Sequence, residues 1–284
     1  MPTLAIAILN WNGKHWLEKF LPNVILYSKE AKIYVIDNAS NDDSVEFLEQ
    51  NFPNVTIIKN KINTGFAGGY NEGLKHINEE IYCLLNSDVE VTENWIFPIL
   101  EIFQKNEEIA AVQPKIRSFE KDKYFEFAGA GGGLIDNLGY PYCRGRIFEK
   151  LEKDNGQYND ETEIFWASGC ALFIRKEDYW AMNGFDERFF AHQEEIDLCW
   201  RLKNAGRKIY YCGKSTVFHV GGGTLNKKKK KKTYLNIRNN LSMLLKNLPL
   251  STLIWVIPSR LILDGIAGIY FGLKDGFPHL CAVV

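Results

Sequence analysis

Three groups of residues have the types and spacing for proton, cation or phosphate chemistry. The first is Phe189-Phe190-Ala191-His192-Gln193-Glu194-Glu195-Ile196-Asp197-Leu198-Cys199-Trp200-Arg201. Helical spacing there pairs Asp197 with Arg201 at i, i+4 and puts Glu194 one turn before Asp197. Glu195 falls in the first turn, beside amides that have no helical partner. Asp197 with Arg201 reads as structural, which leaves Glu195 as the carboxylate free to accept a proton; a capped acidic helix start is the plain alternative. The second is Asn86-Ser87-Asp88, at the tip of an apolar run. One carboxylate there can hold Mg²⁺ or Mn²⁺ together with substrate phosphates, because Mg²⁺ usually takes only one or two protein carboxylates. The third is His219, which ends a short strand just before Val220-Gly221-Gly222-Gly223-Thr224; a lone His is more often structural, and only this position raises it to a candidate.

Two further segments are polar or glycine-rich. Asp37 precedes Asn38-Ala39-Ser40, where its carboxylate can accept hydrogen bonds from a nucleobase or ribose, whereas Asn41 to Asp43 suit the capping of the next helix. Gly65-Phe66-Ala67-Gly68-Gly69 can bring backbone amides and a helix N-terminus to a phosphate or sugar. Close packing around a tight turn explains those glycines equally well. They are not a dinucleotide fingerprint, since the spacing differs and they follow the third strand rather than the first.

The elements that must position these residues are legible as short β-branched runs at 3–9, 33–37, 55–59 and 81–85, separated by helix-length amphipathic segments. That alternation predicts a mostly parallel sheet with helices on both faces. Ligands of such sheets sit at the carboxyl ends of the strands, so Asn10-Trp11-Asn12-Gly13, the Asp37 segment, the 63–71 segment and Asn86-Ser87-Asp88 should share one edge. Beyond them the pattern predicts a helix over 95–106, an apolar run at 109–112 closed by Pro114, an irregular insertion over 115–163 and a strand over 165–174. A helix over 194–205, two short strands at 208–212 and 216–219, and helices over 234–247 and 251–273 complete the expectation.

With 284 residues, 46% apolar and 24% charged, the chain can bury a full core and is neither disordered nor a disulfide scaffold. Its six cysteines include no C-x-x-C pair, and Cys170 and Cys199 read as buried fillers rather than nucleophiles. The N-terminus lacks a secretory signal pattern, so a cytoplasmic location is expected. Net charge is −1, but from Leu198 to Leu263 there are 14 basic residues and no Asp or Glu. That asymmetry points to an anionic partner at one end, and no nucleic acid is expected. The run Lys227 to Lys232 precedes apolar residues Leu250, Leu253, Ile254, Ile257 and Leu261 at helical spacing, which predicts peripheral attachment to an anionic membrane surface. Pro258, Arg260 and Asp264 interrupt the most apolar stretch, so a membrane span is not expected. The ending at Cys281-Ala282-Val283-Val284, soon after an apolar helix, reads as a truncation.

Taken in order, Asn10-Trp11-Asn12-Gly13, Val35-Ile36-Asp37-Asn38-Ala39-Ser40, Asn63 to Asn71, Leu85-Asn86-Ser87-Asp88, Gly184 to Phe190 and Glu194 to Arg201 resemble the family 2 glycosyltransferases, most of all their rhamnosyltransferase-like branch. The likeness covers roughly residues 3–246. It implies an A-type glycosyltransferase fold and inverting transfer of a hexose from a nucleotide diphosphate sugar, with dTDP-rhamnose the suggested donor. The acceptor would be a glycan or polyprenyl-linked oligosaccharide of bacterial surface-polysaccharide synthesis. By resemblance, Asp37 binds the base and Asn10, Asn63, Gly68 and Asn86 belong to the sugar-donor pocket. Asp88 matches the second acid of the metal-binding Asp-x-Asp motif, with Asn86 where the first is expected, and His219 completes the site for Mg²⁺ or Mn²⁺. Glu195 stands at the catalytic base, Arg238 near the diphosphate, and Trp166 and Glu194 on the acceptor side. The implied division is a catalytic domain over 1–225, with a nucleotide half to about 114 and an acceptor half after it, then a basic loop and membrane-associating helices over 226–284. A sugar-nucleotide nucleotidyltransferase is the first alternative, though it would need a basic phosphate loop after the first strand. A non-catalytic nucleotide- or glycan-binding module is the second, favoured by Asn86.

Overall fold

The computed structural model describes residues 2–221, 230–276 and 280–283. Its first part follows the predicted alternation: β1 (Leu4–Asn10), α1 (Lys14–Tyr27), β2 (Ala31–Asp37), α2 (Ser44–Asn51), β3 (Thr56–Lys59), α3 (Gly65–Leu74) and β4 (Ile81–Asn86). After these come β5 (Val89–Val91), α4 (Phe97–Lys105) and β6 (Ile109–Ser118). The insertion carries two short antiparallel ladders, β7 (Gly133–Ile135) with β8 (Pro141–Cys143) and β9 (Arg146–Ile147) with β10 (Lys150–Leu151). Next are β11 (Glu161–Ile164), β12 (Ala171–Arg175), α5 (Lys176–Ala181), α6 (Glu194–Asn204) and β13 (Lys208–His219), and last α7 (Lys230–Asn247) and α8 (Leu250–Asp275).

The main sheet runs β11-β13-β6-β12-β4-β1-β2-β3, with β5 pairing β13. Its N-terminal half, β4-β1-β2-β3, is parallel throughout, so Asn10 faces Asp37 and Leu9 faces Asn86 in register at one edge. Strand β12 runs antiparallel between β4 and β6. The alternation within β1 shapes both faces. Leu4, Ile6 and Ile8 pack with Leu17, Leu21 and Val24 of α1, while small Ala5 and Ala7 lie on the face that takes Tyr70 and Leu74 of α3. The Tyr70 hydroxyl is anchored there by donating to the Ala7 (3.3 Å) or Leu85 (3.2 Å) carbonyl.

Three sequence expectations differ in detail. Strand β6 does not stop at Pro114 but continues to Ser118, because Pro114 lies opposite Cys212 beside a register shift between Cys212 and Thr216, a place where a missing N–H is tolerated. The two short strands at 208–212 and 216–219 are one, β13, bulged at that same shift. The strand expected over 165–174 is confined to β12, since the Phe165 and Trp166 amides turn to the Gly133 carbonyl and Ser168 is held by Gln113 and Ala128. Residues 227–229 of the lysine run lie outside the described residues; Lys230 to Lys232 open α7.

Candidate active site

The ends of β1 and β2 form the first wall. The Asn10 amide donates to Asp37 Oδ1 (3.1 Å) and to Ser40 Oγ (3.2 Å), and Asp37 Oδ2 accepts the Ser40 amide (3.0 Å). Both Asn10 and Asp37 are buried, and Asn10 Oδ1 has no partner. The chain leaves the strands through residues with left-handed φ, Asn12 (φ 51°) and Ala39 (φ 59°). Asn63 joins this wall by accepting from Asn38 (3.1 Å) and from the Gly65 amide (2.9 Å). Gly68 is buried against Thr64, whose Oγ1 would meet an added Cβ at 2.6 Å, so this glycine lets the first turn of α3 pack on itself.

The second wall is the turn after β4. A Cβ on Gly13 would come within 3.8 Å of Ser87 Oγ, so the β1 loop touches the Asn86-Ser87-Asp88 turn. Because β5 pairs antiparallel with the end of β13, His219 lies opposite Val89 and its ring reaches Asp88, with Nε2 3.2 Å from Oδ1. Asn86 Nδ2 is 3.3 Å from the same ring nitrogen, and Nδ1 lies 3.6 Å from Glu126. Burial opposes a charge on His219, but Cys170, Asp88 and Glu126 outweigh it and hold the imidazole well above its ordinary pKa. Burial likewise works against the Asp88 carboxylate, and the His219 contact turns the balance to a lowered pKa. Among the described residues no cluster of three or more His, Cys, Asp or Glu could hold a metal ion. Asp88 with His219 is a partial set, of the kind that a hard divalent cation completes with phosphate oxygens. Glu126 was not legible in the sequence, since it sits in the aperiodic insertion and meets His219 only through the fold.

The third wall is the start of α6. The Asn86 amide donates to the Cys170 carbonyl (3.0 Å), and a Cβ on the neighbouring Gly169 would lie 3.8 Å from the Glu195 Cβ, which ties α6 to the end of β4. Glu195 Oε2 and Glu194 Oε2 are covered and have no hydrogen-bond partner. Burial pushes the Glu195 carboxyl up to about 7, against the pull of the backbone amides at the helix start; burial and the neighbouring Glu195 push Glu194 well above the usual range. Asp197 has the opposite environment. Fully buried, it accepts from Arg201 (2.8 Å), Lys246 (2.9 Å) and Asn247 (2.9 Å), a saturated structural anion. One helix therefore carries a satisfied carboxylate, Asp197, and two with an unpartnered oxygen, Glu194 and Glu195.

Two other candidates are engaged in packing. Trp166 is buried, its indole N–H donated to the Leu134 carbonyl (2.8 Å) and its ring against Gly133. Arg238 donates to the Arg188 (2.8 Å) and Phe189 (3.2 Å) carbonyls, next to Asn239, a residue the sequence did not single out. Cys170 and Cys199 are buried, and burial pushes both thiols up to about 12, which makes them fillers.

This architecture matches solved structures. GalNAc-T7, solved with UDP, GalNAc and Mn²⁺, superposes with a TM-score of 0.67 at 17% identity over 86% of this chain and 48% of that one. The mannosyltransferase PcManGT from Pyrobaculum calidifontis, in complex with GDP-Man and Mn²⁺, gives 0.63 at 11% identity over 100% and 86%. The model of the glycosyl transferase family 2 matches residues 5–182. The chain belongs to that family. As a family 2 glycosyltransferase with an A-type fold, it is rhamnosyltransferase-like. It is 26% identical over 236 residues to the N-acetylglucosaminyl-diphospho-decaprenol L-rhamnosyltransferase of Mycobacterium tuberculosis, covering 76% of this chain and 75% of the relative. The rhamnosyltransferase WbbL of Escherichia coli is 23% identical over 215 residues, 72% of this chain and 79% of its own. The chain is thus a nucleotide-sugar glycosyltransferase of glycan synthesis.

Proposed function

We propose that this enzyme transfers a hexose, with dTDP-rhamnose as the donor, to a polyprenyl-linked glycan at the cytoplasmic face of a membrane, inverting the anomeric carbon. The observation that carries the mechanism is Glu195, a carboxylate with an unpartnered oxygen and a raised pKa at the junction of α6 with the end of β4. The two rhamnosyltransferase relatives support the donor, and the decaprenol named for the mycobacterial one supports the acceptor class.

In a single displacement, Glu195 takes the proton of the acceptor hydroxyl as that oxygen attacks the anomeric carbon, and the nucleoside diphosphate leaves from the opposite face. Asp37 and Asn10 hold the nucleoside, with Asn63 and Asn86 along the same edge. Asp88 and His219 would hold Mn²⁺ or Mg²⁺, a use that the Mn²⁺ of both solved relatives supports. When bound, such a cation stabilises the charge growing on the leaving diphosphate. Burial and the neighbouring Glu195 raise the pKa of Glu194, which disfavours a second negative charge on the acceptor side. Replacing Glu195 by Gln should lower transfer about 10²- to 10⁴-fold while nucleotide binding, read by thermal shift with dTDP-rhamnose and Mn²⁺, is retained. Transfer at close to the wild-type rate would remove Glu195 from this role.

A further inference from the structure

We propose that Asn239 is a positioning residue for Glu195, clasping the strained main chain that presents the base. The inference rests on Glu195 being that base. The segment leading into α6 contains three non-glycine residues in the left-handed region, Phe190 (φ 62°), His192 (φ 72°) and Gln193 (φ 73°). Each is a strained conformation that persists only where the surroundings over-determine it. One side chain makes three of the contacts that hold it. The Asn239 amide nitrogen, fully buried on α7, lies within hydrogen-bond distance of three carbonyls of the segment, Phe189 (3.1 Å), Ala191 (3.0 Å) and His192 (2.7 Å). Two amide hydrogens shared among three acceptors grip the turn from inside.

The amide is itself oriented. Arg238 donates to Asn239 Oδ1 through Nε (2.8 Å) and Nη2 (2.6 Å), which fixes which end of the amide faces the segment, and the same guanidinium holds the Arg188 carbonyl. The next residue, Asn240, donates to Gln193 Oε1 (3.3 Å) and the Gly139 carbonyl (3.0 Å) and accepts from Arg260 of α8. Gln193 in turn caps α6, its carbonyl accepting the Asp197 amide (2.9 Å), and Glu195 follows two residues on. The clasp also reaches the sugar-donor side, because the Phe190 carbonyl accepts the Phe66 amide at the start of α3 (2.7 Å). The main chain held by Asn239 therefore sets the base and the nucleotide-side helix relative to each other. A displacement of about 1 Å in such geometry is enough to cost on the order of 100-fold in rate.

The test uses the full chain with dTDP-rhamnose, Mn²⁺ and a polyprenyl-diphosphate-linked N-acetylglucosamine acceptor, reading released dTDP. Asn239→Ala should lower kcat about 100-fold with the donor KM within about two-fold, and Asn239→Gln, which restores an amide, should recover part of the loss. In the Glu195→Gln background, Asn239→Ala should add little, since both act on one step. Asn239→Asp keeps size and the Arg238 contact but removes both donors, and serves if the alanine variant does not fold. A folded Asn239 variant lacking the amide that transfers at the wild-type rate, while Glu195→Gln is inactive, overturns the inference. A raised donor KM with kcat unchanged, or failure of both variants to fold, also overturns it. Wild-type transfer by Glu195→Gln instead overturns the assignment of the base, whatever Asn239 does.

Discussion

Burial raises the pKa of Glu195 to about 7 because the fold removes water from it without supplying a countercharge, and the two consequences of that run in opposite directions. As a base it must be ionised, so kcat should fall about ten-fold per pH unit below about 7, the value to which burial raises this carboxyl. For stability the sign is the reverse. Between the ordinary glutamate pKa and about 7 the folded state binds more protons than the unfolded, so stability is lost as pH rises through the folded value. Glu195→Gln, which cannot ionise, should therefore raise Tm relative to wild type at pH 8 and change it little at pH 5. An acid limb of kcat near 4.5, with no pH-dependent Tm difference, would show that the carboxyl is not desolvated. The division of labour on α6 was readable beforehand, because the i, i+4 pairing of Asp197 with Arg201 is a local rule. The partners of His219 were not: Glu126 reaches it across the fold, and no local pattern marks it.

Elements differ in how far local pattern determines them. The first four strands were legible because each is a short, mostly apolar run separated from the next by a helix. The later strands were not delimited correctly, since Gly213-Lys214-Ser215 has turn chemistry yet forms a bulge. There the Gly213 amide is taken by the Asp160 carbonyl and the Ser215 hydroxyl by that of Trp95. The glycines of α3 left two explanations open, and the structure supplies a packing role for the first of them. Gly65 has φ +77°, and an added Cβ would lie 2.5 Å from the Phe190 carbonyl oxygen, the atom that accepts the Phe66 amide. Gly65→Ala should therefore destabilise the protein by more than the roughly 1–3 kcal/mol of backbone strain alone. Gly206→Ala is the control, with φ +81° and nothing within 4 Å, and should show the strain without the collision. Urea unfolding of the two variants checks this; equal losses would mean that the contact between α3 and the 190 turn yields freely.

At the scale of the molecule, the charge asymmetry of the sequence is largely cancelled inside the fold. Arg201 and Lys246 meet Asp197, Lys203 meets Glu163, Arg207 meets Asp178, Lys208 meets Glu108, Lys214 meets Glu161 and Arg260 meets Asp264. Arg238 is used by the 189 turn, and the densest basic run in the sequence is Lys227 to Lys232. Helix α8, which follows α7, is long and apolar enough to cross a membrane by length and composition. Its polar stripe, however, is turned to the protein. Arg260 and Asp264 are buried, with Arg260 donating to the Leu138 carbonyl (3.1 Å) and Tyr140 donating to Asp264 (2.8 Å). Leu250, Ile254, Leu261, Ile262, Ile266 and Leu273 are exposed on the other side, while Leu253 and Ile257, expected on the same apolar face, pack on the core. Pulling α8 across a bilayer would strip the partners from a buried ion pair, whereas lying on the surface keeps them and covers the apolar side. Flotation with anionic vesicles should then retain the protein at low salt and release it as salt rises. Replacing all six lysines by Gln should weaken binding by about 1 kcal/mol for each charge that reaches the surface. Ile254→Glu with Ile262→Glu should weaken it in neutral vesicles as well, where the lysines contribute nothing. Flotation undiminished in both variants would take α8 and the lysine run out of the membrane contact and leave the exposed apolar side to a protein partner.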